Sequence, residues 1–236
     1  MYKWNGRVRF SEVGEDKRLT LDRIVDYFQD CSTFQSEDLG NGMEAVEAMH
    51  RAWVLSSWQI VVKEYPKLGE EITTGTWPYE FNRFLGGRNF IMYGADGRVL
   101  AYANSLWTYI STENGRPVRV DEDIMKLYVL EPKYDMEYAD RKIALPETMV
   151  PMAAFPVEIH HLDTNHHVNN GQYIKMAGVY LPQGFEIAQM RAEYKKSAVL
   201  GDKICPRVYA EEEKVIVSLE DEAGNPFTVV EYLKNA

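Results

Sequence analysis

The chain has 236 residues, 45% of them hydrophobic and 26% charged, the balance of a folded globular protein with one large core or two small ones. A formal net charge of -10 excludes nucleic acid as the main partner, because phosphate binding needs a basic surface, and no apolar run approaches the roughly 18 residues of a membrane span. Cys31 and Cys205 are the only cysteines, so no disulfide framework is implied, and a cytoplasmic location is expected; Met1–Arg7 also lacks the apolar stretch of a secretion signal.

In chain order, Val8-Arg9-Phe10 reads as a short strand. It leads through a polar turn into a helix starting near Thr20, with Leu21, Ile24, Val25, Phe28 and Cys31 at helical spacing and Thr20 with Asp22-Arg23 as cap and first turn. A β-rich segment runs from Trp53 to Val62. After Leu68-Gly69-Glu70-Glu71-Ile72, Ala95-Asp96-Gly97 is a hairpin signal between strands at Asn89–Tyr93 and Val99–Ile110. The stretch 114–156 carries Pro117, Pro132, Pro146, Pro151 and Pro156 among many charges and reads as a linker.

Beyond the linker the pattern returns. Val157-Glu158-Ile159 lies over Val8-Arg9-Phe10 at an offset of 149 positions (157 − 8), which sets Leu162 on Val13, Val168 on Leu19, Asn169 on Thr20 and Ile174 on Val25. A second helix starts near Asn169-Asn170, with Tyr173, Ile174, Ala177 and Val179-Tyr180 on its apolar stripe. Leu200-Gly201-Asp202-Lys203-Ile204 mirrors Leu68–Ile72 at an offset of 132 (200 − 68). It follows a β-rich segment at Glu186–Tyr194 and precedes strands at Val215–Leu219 and Phe227–Leu233, which Glu222–Pro226 joins. The expected class is α+β: a long helix wrapped by a curved antiparallel sheet, twice, with units at 1–113 and 157–236.

Four of the five histidines fall in one window, His160-His161-Leu162-Asp163-Thr164-Asn165-His166-His167, which runs into Val168-Asn169-Asn170. It combines a carboxylate and amides with the side chain that titrates near neutrality, the parts needed to position and deprotonate a water. His160 and His161, on the incoming strand, would point to opposite faces, leaving one in solvent. The adjacent pairs His160-His161 and His166-His167 do not converge as i, i+4 ligands do, so no metal is expected, and no cofactor is implied.

Asp163 through Ile174, on this double framework, resembles the acyl-acyl-carrier-protein (acyl-ACP) thioesterases, whose pattern Asp-x-Asn-x-His-Val-Asn-Asn followed by Tyr is matched at every fixed position. Phe81–Phe90 with Arg88 looks like the family's Arg-containing strand, and Ser105-Leu106-Trp107 with Arg116-Pro117 like its Ser-x-Trp strand and following turn. The resemblance implies a double hot-dog fold, a thioester hydrolase that releases free fatty acid from acyl-ACP and ends chain elongation, and a carrier-protein partner. Lys195-Lys196, Lys175, Arg191 and Arg141-Lys142 are the basic groups available to an acidic carrier. Two positions depart from the family: Ser197-Ala198 follows Tyr194-Lys195-Lys196 where an acidic residue, in plant members also a cysteine, is usual, and Ser111 stands where the Trp107 strand commonly closes with Asp.

Within that reading His167 is the base that activates water, and Asn165 holds the water or the thioester oxygen. Asp163 orients a neighbour, positions the water or attacks as nucleophile. The helix entrance Val168-Asn169-Asn170 offers backbone N–H groups to the oxyanion, and Ser197 can orient a water. The plain alternative makes Asp163 and Asn165 turn residues and Asn169 and Asn170 caps. The first half has Gly14, Asp16 and Arg18 at the positions of Asp163, Asn165 and His167, so one active site per chain is expected, in a monomer or a homodimer. An acyl-coenzyme A thioesterase on the same fold and a non-catalytic acyl-binding module are the competing readings.

Overall fold

A computed structural model describes residues 1–234; positions 235 and 236, the end of the span read as the second repeat, lie outside the described residues. The chain forms two compact units, one of Met1–Trp58 with Val62–Ala139 and one of Gln59–Val61 with the chain from Asp140 onward. Among the described residues no helix is long and apolar enough to cross a membrane.

The first unit contains β1 (Tyr2–Arg7), α1 (Leu21–Asp38), α2 (Met43–Met49), β2 (Arg51–Val62, apart from its residues 59–61), β3 (Glu71–Asn82), β4 (Leu85–Gly94), β5 (Val99–Ser111) and α3 (Glu122–Leu127), with strand order β1-β3-β4-β5-β2. The apolar spacing of α1 works as read: Leu21, Ile24, Val25, Phe28 and Cys31 are all buried. Phe28 lies 5.3 Å from Phe90 and 6.1 Å from Trp58, an aromatic cluster in which each fully buried ring contributes about 1.5–3 kcal/mol. Burial pushes the Cys31 thiol up to about 12, so it stays protonated. Thr20 occupies the cap position with extended backbone, but its side chain makes no cap bond; its N–H donates to Glu12 O at 3.1 Å and its hydroxyl turns the same way.

The second unit contains β6 (Val150–Pro151), β7 (Phe155–Pro156), α4 (Asn170–Gly178), β8 (Ile187–Tyr194), β9 (Lys203–Ala210), β10 (Lys214–Glu220) and β11 (Pro226–Lys234), in the order β8-β11-β10-β9-β6 with β7 on β9. On α4, Tyr173, Ile174 and Ala177 are buried, and Tyr232 donates its hydroxyl to Ile174 O at 2.9 Å. Val179, read as part of the apolar stripe, follows the helix end and is 71% exposed.

Two further readings change. The segments Val8–Phe10 and Val157–Ile159 are not strands: each runs into a short 3₁₀ turn, Phe10–Glu12 and Ile159–His161, closed by a side chain three residues on that accepts a backbone N–H. His160 and His161 therefore do not point to opposite faces; their rings lie 4.1 Å apart, with His160 the exposed one. Strands β3 and β9 follow the two Leu-Gly turns directly and join the hairpins already read. In β3 the alternation is interrupted by Gly75 and by Pro78, which sits at a register shift.

The internal repeat holds bond for bond. Leu19 N–H donates to Pro66 O at 2.8 Å and Val168 N–H to Ala198 O at 2.9 Å; Val8 N–H reaches Glu70 O at 3.0 Å and Val157 N–H reaches Asp202 O at 2.7 Å. Gly69 and Gly201 take φ values of 81° and 85°, which a side chain would resist. Each pair keeps the offsets read from the sequence.

The proline-rich stretch 114–156 is fastened to both units. In the first, Val120, Ile124 and Tyr128 cluster with Tyr109, and the fully buried Asn89 accepts the Tyr134 N–H (3.0 Å) and the Tyr138 hydroxyl (3.1 Å) while donating to Ala103 O (3.1 Å). In the second, Arg191 donates to the Asp140 and Lys142 carbonyls, Glu193 accepts the Ile143 N–H at 3.1 Å, and Ile143 and Met149 pack on Ile216 and Val229. Asn89→Ala strands several buried groups at once and should cost about 2–4 kcal/mol, read as a lower urea midpoint at unchanged m-value; an unchanged midpoint would deny Asn89 this fastening role.

Candidate active site

The motif window folds as a short antiparallel clasp. Three pairs form it: Asn169 N–H donates to His161 O (2.9 Å), Leu162 bridges Val168, and Asp163 N–H donates to His167 O (2.7 Å). The tip turns through His166 at φ 60°, with its N–H on Asp163 O at 3.1 Å. The Asp163 carboxylate holds this tip from inside: its Oδ1 accepts the N–H of Asn165 at 2.8 Å and of His167 at 3.2 Å. An ionised acceptor shared by two amides is about twice as strong as a neutral one, so the loop depends on this one oxygen. The first unit makes the same turn with Lys17 at φ 63°, but there Asp16 caps the Arg18 N–H (3.0 Å) and the Arg18 side chain is tied to Tyr65 O (2.8 Å).

Asp163 is half-buried, whereas the Asn165 and His167 side chains are exposed and make no hydrogen bond to any described residue. The clasp therefore brings the three motif residues together, with the carboxylate inside the turn and the amide and imidazole outside it. His167 also bridges Val199, which places Ser197-Ala198-Val199 alongside it. Ser197 is exposed and makes no bond to a described residue.

The helix entrance differs from the expectation. The N–H groups of Val168 and Asn169, read as oxyanion donors, are already used, the first by Ala198 O and the second by His161 O, both at 2.9 Å. Asn169 is the cap of α4: its Oδ1 accepts the Gly171 N–H at 2.8 Å. Asn170 opens the helix, and its carbonyl accepts the Tyr194 hydroxyl at 3.1 Å.

The basic pair is tied down as well. Lys195 pairs with Glu193 at 3.0 Å; Lys196 bonds Asp221 and lies 4.4 Å from the centre of the Phe227 ring. With the Asn225 amide, Lys196 holds the Asp221 carboxyl below the usual carboxylate range. Arg191 pairs with Glu231 at 2.7 Å besides its carbonyl contacts, so of the basic groups read as carrier contacts it is a structural clamp.

Two residues escaped the functional reading. Tyr173 is buried beneath the clasp, where its Oη accepts the Ala198 N–H at 2.8 Å, and burial pushes the phenol up to about 12. This Tyr fixes the segment carrying Ser197, just past β8, to the helix, and its place in the motif was the available signal. His161 accepts the Glu158 N–H through Nδ1 at 2.9 Å. The matching Glu12, three residues after Arg9, was the signal for it. No group of three or more metal-binding side chains is present among the described residues.

Two family models cover most of the chain: the acyl-ACP thioesterase N-terminal domain matches residues 1–128, and the acyl-ACP thioesterase C-terminal domain matches 146–226. Oleoyl-acyl carrier protein thioesterase 1, chloroplastic, of Arabidopsis thaliana is 24% identical over 224 residues, 86% of this chain and 62% of that protein. The chain thus spans less than two thirds of that relative's length. Among solved structures, an acyl-ACP thioesterase from Bacteroides thetaiotaomicron superposes with a TM-score of 0.89 at 22% identity, covering 99% of this chain and 97% of the other. The 12:0-ACP thioesterase of Umbellularia californica gives 0.87 at 16% identity, covering 99% and 96%. The architecture is the double hot-dog, and the chain belongs to the acyl-ACP thioesterase family.

Proposed function

We propose that this protein hydrolyses the thioester of an acyl chain carried on acyl-carrier protein, releasing free fatty acid and the carrier thiol and so ending chain elongation. The observation that carries the reading is the Asp163 clasp, which holds an exposed imidazole and an exposed amide two residues apart on a stiff turn, in a chain that belongs to this family. His167 takes a proton from water as the hydroxide adds to the thioester carbon. The tetrahedral oxyanion then collapses, the C–S bond breaks, and the thiolate takes the proton back from the imidazolium. A thiol of pKa about 8.5 leaves with little acid help, so one base suffices.

With the Val168 and Asn169 N–H groups engaged, the oxyanion donor in this reading is the Asn165 side-chain amide, assisted by the positive end of α4. Asp163 acts as organiser of the turn, since its Oδ1 already accepts two amides. Ser197, two residues before the Val199 that bridges His167, is in this reading the group that holds the attacking water. Lys195 and Lys196 would have to exchange Glu193 and Asp221 for carrier carboxylates, which makes them a weak anchor for it.

His167→Ala and Asn165→Ala should each lower thiol release from acyl-ACP at least about 100-fold with the fold intact by circular dichroism. Near-normal turnover in both would remove the assignment, and absence of thiol release from the unaltered protein would leave an acyl-binding module. Asp163→Asn keeps an amide oxygen for the two N–H groups and should retain most of the turnover, whereas Asp163→Ala should lose it along with about 1–3 kcal/mol of stability. A nucleophilic Asp163 would instead be abolished by both. Matched acyl groups on carrier protein and on coenzyme A should show the higher kcat/KM on the carrier.

A further inference from the structure

We propose that His161 is a positioning residue for His167, and that it closes the active clasp only while its imidazole is neutral. The inference rests on the thioesterase reading for its kinetic consequence, but the clasp itself does not. His161 holds three bonds at the outer end of the loop. Its N–H donates to Glu158 O at 3.0 Å, its carbonyl accepts the Asn169 N–H at 2.9 Å, and its Nδ1 accepts the Glu158 N–H at 2.9 Å. The last bond needs a lone pair on Nδ1, so the ring is the neutral Nε2–H tautomer. A proton on Nδ1 would face another N–H donor and open the turn next to the outermost rung of the clasp.

The first unit provides an internal comparison. At the equivalent position Glu12 donates its N–H to Arg9 O at 3.1 Å, accepts the Thr20 N–H on its carbonyl at 3.1 Å, and uses Oε2 for the Arg9 N–H at 2.8 Å. That side-chain acceptor is a carboxylate, and the unit that carries it lacks the Asp-Asn-His set. The unit with the catalytic window uses an imidazole at the same point. The substitution ties the second unit's turn to the protonation state of an imidazole, a group the first unit's turn does not use.

The groups around His161 favour the neutral ring. Burial lowers its pKa, and His160 on the same turn and Lys175 on α4 act in the same direction, against Glu158. The Glu158 carboxylate lies 3.3 Å from His160 Nδ1 and pairs with it only when His160 is protonated. Because the folded-state value lies below the ordinary value of about 6.5, the contribution of the His161 bond is complete above that value. It is lost as pH falls through the folded value. Acidification thus opens the clasp that presents His167 through protonation of His161.

Two measurements test this. In the intact protein, ¹⁵N spectra of the His161 ring should show the Nε2–H tautomer at pH 8, and the Glu158 amide shift should move with His161 protonation below pH 6.5. The acid limb of kcat/KM should be steeper than in a variant whose turn is closed by a carboxylate, since protonation of His161 adds to the loss. In His161→Leu, kcat at pH 8 should drop at least about fivefold; His161→Glu, which installs the first unit's acceptor, should restore it and make the acid limb less steep. An Nδ1–H tautomer at pH 8, a Glu158 amide that ignores His161, or an acid limb of equal steepness in His161→Glu would overturn the proposal. If the protein releases no thiol at all, the functional reading falls, and the ring and amide spectra still decide whether His161 closes the turn.

Discussion

The site hangs on one carboxylate oxygen. Asp163 Oδ1 accepts two backbone amides of a five-residue turn, and through them fixes the direction in which Asn165 and His167 leave the chain. A turn at the surface would otherwise sample many conformations, at about 1–2 kcal/mol per residue of backbone entropy. Here the carboxylate, the Ala198 carbonyl and the His161 carbonyl remove most of that freedom before any substrate arrives. Preorganisation of this kind lets two exposed side chains serve chemistry that tolerates little misplacement.

The two halves show how little must change to make such a site. Their backbones share the clasp, the positive-φ turn residue and the Leu-Gly turn that pairs with it. What differs is where the carboxylate sits and what leaves the turn. In the first unit the acid is Asp16, and Arg18 folds back onto Tyr65 O, satisfying its own surroundings. In the second the acid moves to Asp163, and the imidazole of His167 is left without a partner among the described residues. A backbone answering a folding requirement in one half presents reactive groups in the other.

What the sequence revealed followed from local chemistry. Helix α1, the Ala95–Gly97 turn and the repeat were legible because apolar spacing and turn residues act over a few positions. The Asp-x-Asn-x-His spacing located the loop and allowed its turn role to be anticipated. Less visible were features that depend on partners far along the chain. The Val168 N–H is taken by Ala198, thirty positions on, and no local pattern announces it. The 3₁₀ turns at Phe10 and Ile159 looked like strands because the side chains that close them, Glu12 and His161, lie three residues after the Arg9 and Glu158 N–H groups they accept. Strand β9 was obscured by Pro206, and β3 by Gly75 and Pro78, residues that weaken a strand pattern without preventing pairing.

Arg191 and Glu193 fasten the backbone at Asp140–Ile143 to β8, and Ile143 and Met149 cover Ile216 and Val229. This covering decides where the gene can be recombined. A chimera spliced after Pro156, where the second repeat begins in the sequence, would take Ile143 and Met149 from the other parent and set an unmatched apolar seam against β10 and β11. A junction before Asp140 keeps that strip with the sheet it protects. The natural module for exchange between relatives therefore starts inside the stretch that composition alone marks as connecting chain.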